Sequence, residues 1–188
     1  MRIVGGKHRG RRLLAPPGAT VRPTSDRVRE ALFNILSHGQ FAAEGIPFVE
    51  AAVLDAFAGT GAFGLEALSR GAAEAVFIEQ DRTALAILRQ NIEALGEGSR
   101  AGIVHGDATH PPRALLPCAV AFLDPPYHSG LAARALVALT AAAWLAPEAF
   151  AIAEIAAREE LPAVAGFTPL EERVYGAARL VFLRREAE

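Results

Sequence analysis

The stretch Asp124-Pro125-Pro126-Tyr127 sets a carboxylate, two prolines and an aromatic ring in a row. Consecutive prolines fix the backbone φ angles and supply no N–H donors. The carbonyl of Pro125 can therefore accept a hydrogen bond from outside the chain. Asp124 adds a second acceptor and Tyr127 a flat face. Two acceptors and a ring suit an exocyclic amine on a nucleobase, one N–H to each acceptor and the base stacked on the ring. The plainer alternative is a strand that ends at a proline turn with a capping Asp.

A second set of residues could hold a nucleotide-like ligand. Gly59, Gly61 and Gly64 match the spacing G-x-G-x-x-G, and Glu79 stands 20 positions after Gly59, where a ribose diol needs an acceptor. That is the dinucleotide fingerprint, so an NAD(P)-dependent oxidoreductase is a real competitor. Asp55 argues against it. It lies four residues before the first glycine, where its charge would repel a pyrophosphate but suit a ligand with a cationic amino-acid end. Gly106-Asp107-Ala108 is weak alone, since Asp after Gly is ordinary turn chemistry; its place beside the other two loops makes it a candidate adenine reader. His105 and His110 flank it without a Cys or carboxylate at ligand spacing, so no metal centre is expected.

The elements that must position these groups follow from periodicity. Pro23 with Thr24 or Ser25 opens a helix whose apolar face is Val28, Ala31, Leu32, Ile35 and Leu36, with Arg27 and Arg29 off it. Strand and helix then alternate: strand 53–57, helix 63–70, strand 75–79, helix 82–95 stopped by Gly96, and strand 102–105. Leu115-Leu116 reads as a short helix or turn. Strand 119–123, helix 131–142 and strand 150–155 follow, and runs 167–174 and 178–184 form a hairpin around Tyr175-Gly176. Such alternation predicts a Rossmann-like α/β fold: a mostly parallel seven-stranded sheet, helices on both faces, and an antiparallel C-terminal hairpin. Asp55, Glu79, Asp107 and Asp124 then share the carboxyl edge of the sheet, where ligands of open α/β sheets bind.

Composition bounds the rest. A chain of 188 residues, 52% hydrophobic, can bury a proper core. It divides into a basic arm or hairpin (1–20), a helix and loop (21–50) and the Rossmann-like domain (51–188). No uncharged stretch reaches membrane-spanning length, and the amino terminus lacks a signal-peptide core. Cys118 stands alone, so no internal disulfide forms, and a cytoplasmic monomer is the expectation. Residues 1–30 hold eight basic residues against two acidic ones, a net +6, which leaves −8 for the remainder. This asymmetry points to a polyanion, with Arg9, Arg11, Arg12, Arg22, Arg27 and Arg29 facing RNA phosphates. The arm is expected to serve the RNA and not the core.

The order of motifs resembles the class I S-adenosylmethionine-dependent methyltransferases: Gly-rich turn, acidic strand end, Asp-Ala, then Asp-Pro-Pro-Tyr. The amino-terminal half is more specific. Gly5-Gly6-x-x-Arg9-Gly10-Arg11-x-Leu13, the segment Arg22-Pro23-Thr24-x-Asp26-Arg27-Val28-Arg29-Glu30, and Gly64-Leu65-Glu66-Ala67-Leu68-Ser69-Arg70 resemble the RsmD family of bacterial small-subunit rRNA guanine-N2 methyltransferases. The resemblance spans almost the whole chain. It implies S-adenosylmethionine as cofactor and rRNA, bare or in an assembling 30S particle, as partner. It also implies roles. Asp55, Gly59 and Gly61, with Phe57, hold the methionine end; Glu79 takes the ribose hydroxyls; Asp107 and the Ala108 backbone read adenine. Asp124 and the Pro125 carbonyl bind the guanine amine under Tyr127. An adenine-N6 or protein-glutamine methyltransferase shares the tetrapeptide, and a non-catalytic RNA-binding module is a further alternative.

Overall fold

A computed structural model describes residues 1–16, 23–42 and 47–187. The elements in chain order are α1 (Pro23–Leu36), β1 (Ala52–Asp55), α2 (Ala62–Ser69), β2 (Glu74–Glu79), α3 (Arg82–Leu95), β3 (Ala101–His105) and β4 (Cys118–Leu123). Then come α4 (Leu131–Ala141), β5 (Leu145–Ala156), β6 (Phe167–Tyr175) and β7 (Ala178–Arg185). The strands form one sheet in the order β3-β2-β1-β4-β5-β7-β6. The first five are parallel, and β7 runs antiparallel between β5 and β6. The architecture is Rossmann-like, as the alternation predicts.

Two-residue alternation along the central strands builds two cores. Val53, Phe77, Val120, Phe122 and Ile152 face one side, under α1, α2 and α3. Leu54, Ile78, Ala121, Leu123 and Ala153 face the other, under α4 and the segment around Trp144. Helix α3 follows its sequence pattern closely. Asp81 caps its first turn by accepting from the Ala84 N–H at 2.7 Å, and Gly96 closes it in a left-handed conformation. Leu85, Leu88, Ile92 and Leu95 are its buried face.

The structure departs from the sequence reading in four places. Strand β1 stops at Asp55, so Phe57 belongs to the turn. Strand β5 starts at Leu145 and not near 150. Pro147, which cannot donate to a ladder, and Glu148 at φ +60° form an irregular stretch that hides the strand pattern. Leu115 and Leu116 are exposed and lie outside any helix.

The fourth departure is the arm, which is part of the fold. Its ends meet through the antiparallel bridge Arg2–Arg12, and Ile3 (0% exposed) and Leu13 (6%) enter the core. Burying two such side chains stabilises by about 1.5–3 kcal/mol each. Glu66, fully buried on α2, accepts from the N–H groups of Val4 (2.8 Å) and Gly5 (2.7 Å). It also pairs with Arg70 at 2.6 Å and Arg29 at 3.5 Å. Glu97, beyond α3, is met by Lys7 at 2.7 Å, His8 at 2.6 Å and Arg100 at 2.6 Å. Burial would raise the Glu97 carboxyl, but these partners outweigh it and hold the group below its ordinary range.

Candidate active site

Strand order decides where a ligand can sit. From β1 the chain moves to β2 and β3 on one side, then crosses to β4 and β5 on the other. The loops after β1 and β4 therefore diverge and leave a crevice at the carboxyl edge, the switch point of such sheets. A cavity of about 710 Å³ fills it. The turn after β1 (Phe57, Gly59), Glu79 and the pair Asp107 and Ala108 line one end; Asp124, Pro125 and Tyr127 line the other. Phe57, Gly59, Glu79, Asp107, Ala108, Asp124, Pro125 and Tyr127, widely spaced in the chain, thus share one space.

At the first end the turn is braced from below. Glu79 accepts from the Gly59 N–H at 2.7 Å and from the Asp81 N–H at 2.7 Å. Its carboxylate is thereby fixed at the tip of β2 by two backbone dipoles. Gly59 has φ +53° and open space where a Cβ would stand, so a ligand can approach its backbone. Gly61, at φ +83°, serves packing instead: an added Cβ would sit 2.3 Å from the Leu88 side chain. It is not among the cavity-lining residues.

Asp55 also lies outside the lining. Buried at 3% exposure, it accepts from the Gly64 N–H at 3.0 Å at the start of α2. Burial, and then the nearby Glu79 charge, push its carboxyl up to about 7 against the pull of the Gly64 and Phe63 N–H groups and of Arg29. The N–H groups that a pyrophosphate would use at a helix N-terminus face a carboxylate of the chain itself. Asp55 itself stands behind the turn and not on the cavity wall.

Asp107 accepts from the Thr109 N–H at 2.8 Å and lies 3.1 Å from His110. The Thr109 bond is the main cause of a carboxyl held below the usual range; partial burial opposes it, and His110 assists. The turn so fixed sets the buried Ala108 against the cavity. At the other end, Tyr127 donates from its hydroxyl to Glu154 on β5 at 3.0 Å. The loop beyond it is tied down by Glu159, which accepts from the His128 N–H at 2.9 Å.

The arginines separate into classes. Arg9, Arg11, Arg12 and Arg27 are exposed, and Arg11 bonds the Ala94 carbonyl at 2.7 Å. Arg29, expected to face RNA, is 6% exposed. Its guanidinium meets Asp26 at 2.9 Å, Glu66 and the Arg2 carbonyl, because the buried Glu66 needs a counter-charge. Arg22 lies outside the described residues. Sequence reading missed Glu66 and Glu154. The available signal was a single carboxylate inside an otherwise apolar element, Phe63–Ser69 and Ala149–Ile155. Among the described residues no group of His, Cys, Asp and Glu could hold a metal ion, and no helix is long and apolar enough to cross a membrane.

Comparison with known proteins follows the same lines. A family model described as Conserved hypothetical protein 95 matches residues 1–184. A curated relative, Ribosomal RNA small subunit methyltransferase D of Escherichia coli K12, is 40% identical over 190 residues, covering 100% of this chain and 91% of that protein. A solved structure, the putative methyltransferase yhhF from Escherichia coli, superposes with a TM-score of 0.83 at 39% identity, over 100% of this chain and 99% of that one. The RNA methyltransferase from Salinibacter ruber in complex with S-adenosyl-L-homocysteine shares the fold at 15% identity, with a TM-score of 0.68 over 89% of this chain and 95% of that one.

Proposed function

We propose that this chain, which belongs to the Conserved hypothetical protein 95 family, is an S-adenosylmethionine-dependent rRNA methyltransferase acting on the exocyclic N2 of a guanine in small-subunit rRNA. The observation that carries the reading is the single cavity joining Glu79 at one end to Asp124, Pro125 and Tyr127 at the other. The names of the relatives supply the substrate class. By this reading the enzyme works as a cytoplasmic monomer on small-subunit rRNA, bare or within an assembling particle.

The residues present fit the cofactor. Glu79 is a fixed acceptor suited to a ribose diol, Gly59 leaves its backbone approachable, and Ala108 walls the place for adenine. The carboxylates of Glu79, Asp107, Asp124 and Glu154 along the cavity favour a ligand carrying positive charge. When bound, S-adenosylmethionine supplies an activated methyl group on a sulfonium. Asp55 contributes from beneath, by holding the first turn of α2 and so the shape of the Gly59–Gly61 loop.

The chain's own work falls on the amine. Its lone pair is delocalised into the guanine ring and is a poor nucleophile. Asp124 and the Pro125 carbonyl accept its two N–H bonds, which draws the nitrogen toward tetrahedral geometry. The same acceptors stabilise the positive charge that grows on it, an electrostatic preorganisation. Tyr127 fixes the plane of the base, and alignment lowers the barrier further. A stacked or paired guanine must be extruded first, at about a few kcal/mol.

The test is transfer of tritiated methyl to small-subunit rRNA, bare and within 30S particles, followed by nucleoside analysis. N2-methylguanosine is expected. N6-methyladenosine, or label in protein glutamine, would replace the guanine assignment. Tight NAD binding with no methyl transfer would remove the reading altogether.

A further inference from the structure

Asp124 has a neighbour of the same charge. Leu123 of β4 lies in register with Ala153 of β5, so the next residues, Asp124 and Glu154, adjoin across the two strands. Paired strands are about 4.8 Å apart. Leu123 and Ala153 point into the core under α4, so Asp124 and Glu154 point to the opposite side. Both line the 710 Å³ cavity, and both line a small side chamber of about 100 Å³ walled by Arg29, Leu32, Phe63 and Phe122. Two carboxylates and the Tyr127 ring thus stand together, with Arg29 and an apolar wall beside them. Glu154 holds the Tyr127 hydroxyl with one of its acceptor positions.

We propose that Glu154 is a specificity-determining residue that accepts the N1–H of the target guanine while it holds Tyr127, an inference that rests on the guanine reading above. Guanine presents two contiguous donors on its pairing edge, N1–H and the N2 amine. Adenine presents its amine beside the N1 lone pair, and cytosine its amine beside the N3 lone pair. An ionised carboxylate can only accept. The pair Asp124 and Glu154 therefore matches adjacent donors and opposes a ring lone pair. A carboxylate has about four acceptor positions, so holding a phenol and reading a base are compatible. Discrimination of this kind is strong, because the wrong base leaves buried polar groups facing one another without a bond.

The experiment compares wild type, E154Q, E154A and Y127F on small-subunit rRNA and 30S particles. Turnover is measured with nucleoside products by mass, alongside S-adenosylmethionine affinity and Tm. Glutamine keeps a carbonyl for the Tyr127 hydroxyl but brings a donor toward N1–H. E154Q should lose about 10- to 100-fold in kcat/KM, the span for a hydrogen bond to a charged group. Its cofactor affinity and Tm should be unchanged. E154A should lose at least as much, Y127F less than either. The inference is overturned alone if wild type makes N2-methylguanosine and E154Q matches it, with E154A no worse than Y127F; Glu154 is then only a prop for the ring. It is also overturned if E154Q loses Tm and cofactor binding together. If wild type makes no N2-methylguanosine, the guanine reading fails first and carries this inference with it.

Discussion

The amino-terminal arm and the cavity at the sheet edge both depend on carboxylates, and they use them differently. Where the arm docks, Glu66 and Glu97 are surrounded by cations of the chain: Arg29 and Arg70 for the first, Lys7, His8 and Arg100 for the second. Their charge is cancelled where it stands, and the product is a clamp. At the edge, Glu79 is held by the N–H groups of Gly59 and Asp81. Backbone dipoles fix a carboxylate without cancelling its charge. The comparison shows two ways of fixing a carboxylate: cations of the chain cancel the charge of Glu66 and Glu97, whereas backbone N–H groups hold Glu79 with its charge left in place.

The largest expected effect comes from breaking the clamp. Glu66→Ala strands Arg29 and Arg70 beside a buried hole and removes the acceptor for two backbone N–H groups. Breaking a buried pair from one side costs about 3–5 kcal/mol. At about 2–4 °C per kcal/mol for a domain of this size, thermal melting should fall by roughly 6–20 °C. A melting curve that does not move would show that the arm is merely laid on the surface.

Slightly smaller, and on the other side of the comparison, is Asp124→Ala. Melting and S-adenosylmethionine affinity should stay near wild type, while methyl transfer loses about 2.7–4 kcal/mol of barrier stabilisation, by analogy with oxyanion-hole donors. Near-normal turnover would take Asp124 out of the chemistry. Next comes Glu79→Ala, which should weaken cofactor binding by about 1.5–3 kcal/mol. Calorimetry with unchanged affinity would mean that Glu79 only shapes the turn, and the contrast with Glu66 would dissolve.

The smallest effect sharpens the division within the arm itself. Replacing the exposed Arg9, Arg11 and Arg12 by Ala should leave melting and cofactor binding alone and weaken RNA binding. Each lost phosphate contact lowers the log–log salt slope by about 0.7–0.9. RNA titrations at several salt concentrations measure this. An unchanged slope would leave these arginines without a role in RNA binding. Deleting residues 1–12 is a different experiment, because it also removes Ile3 from the core and empties the Glu66 and Glu97 clamps.

How legible each feature was in the sequence follows the same division. Alternating strands and the α3 face were readable because the information is local: Asp81, Leu85, Leu88, Ile92 and Gly96 lie within one helix. The cavity was readable at second hand, since strand alternation puts every carboxyl end on one edge, so Glu79, Asp107 and Asp124 meet. The docking of the arm was not readable. Val4 meets Glu66 across 62 positions, and nothing in Ile3-Val4-Gly5 names that partner. Arg29 was misread for the same reason: a charge on a helix reads as solvated until its buried counterpart is known. The contact between Tyr127 and Glu154 needed the β4–β5 register, which the irregular stretch at Pro147–Glu148 obscures.

The position of β7 between β5 and β6 has a bearing on how the chain comes to be folded. Strand β6 is synthesised first but has β7 as its neighbour in the sheet. Until β7 arrives, β6 is an unpaired ribbon with no template, while β5 presents an open edge to the surroundings. Domains generally fold as units. The sheet therefore closes only in the step that brings β7 into place. That step inserts β7 and recruits β6 together. The interval before it is when the nascent protein is most exposed to edge-to-edge association with another copy of itself.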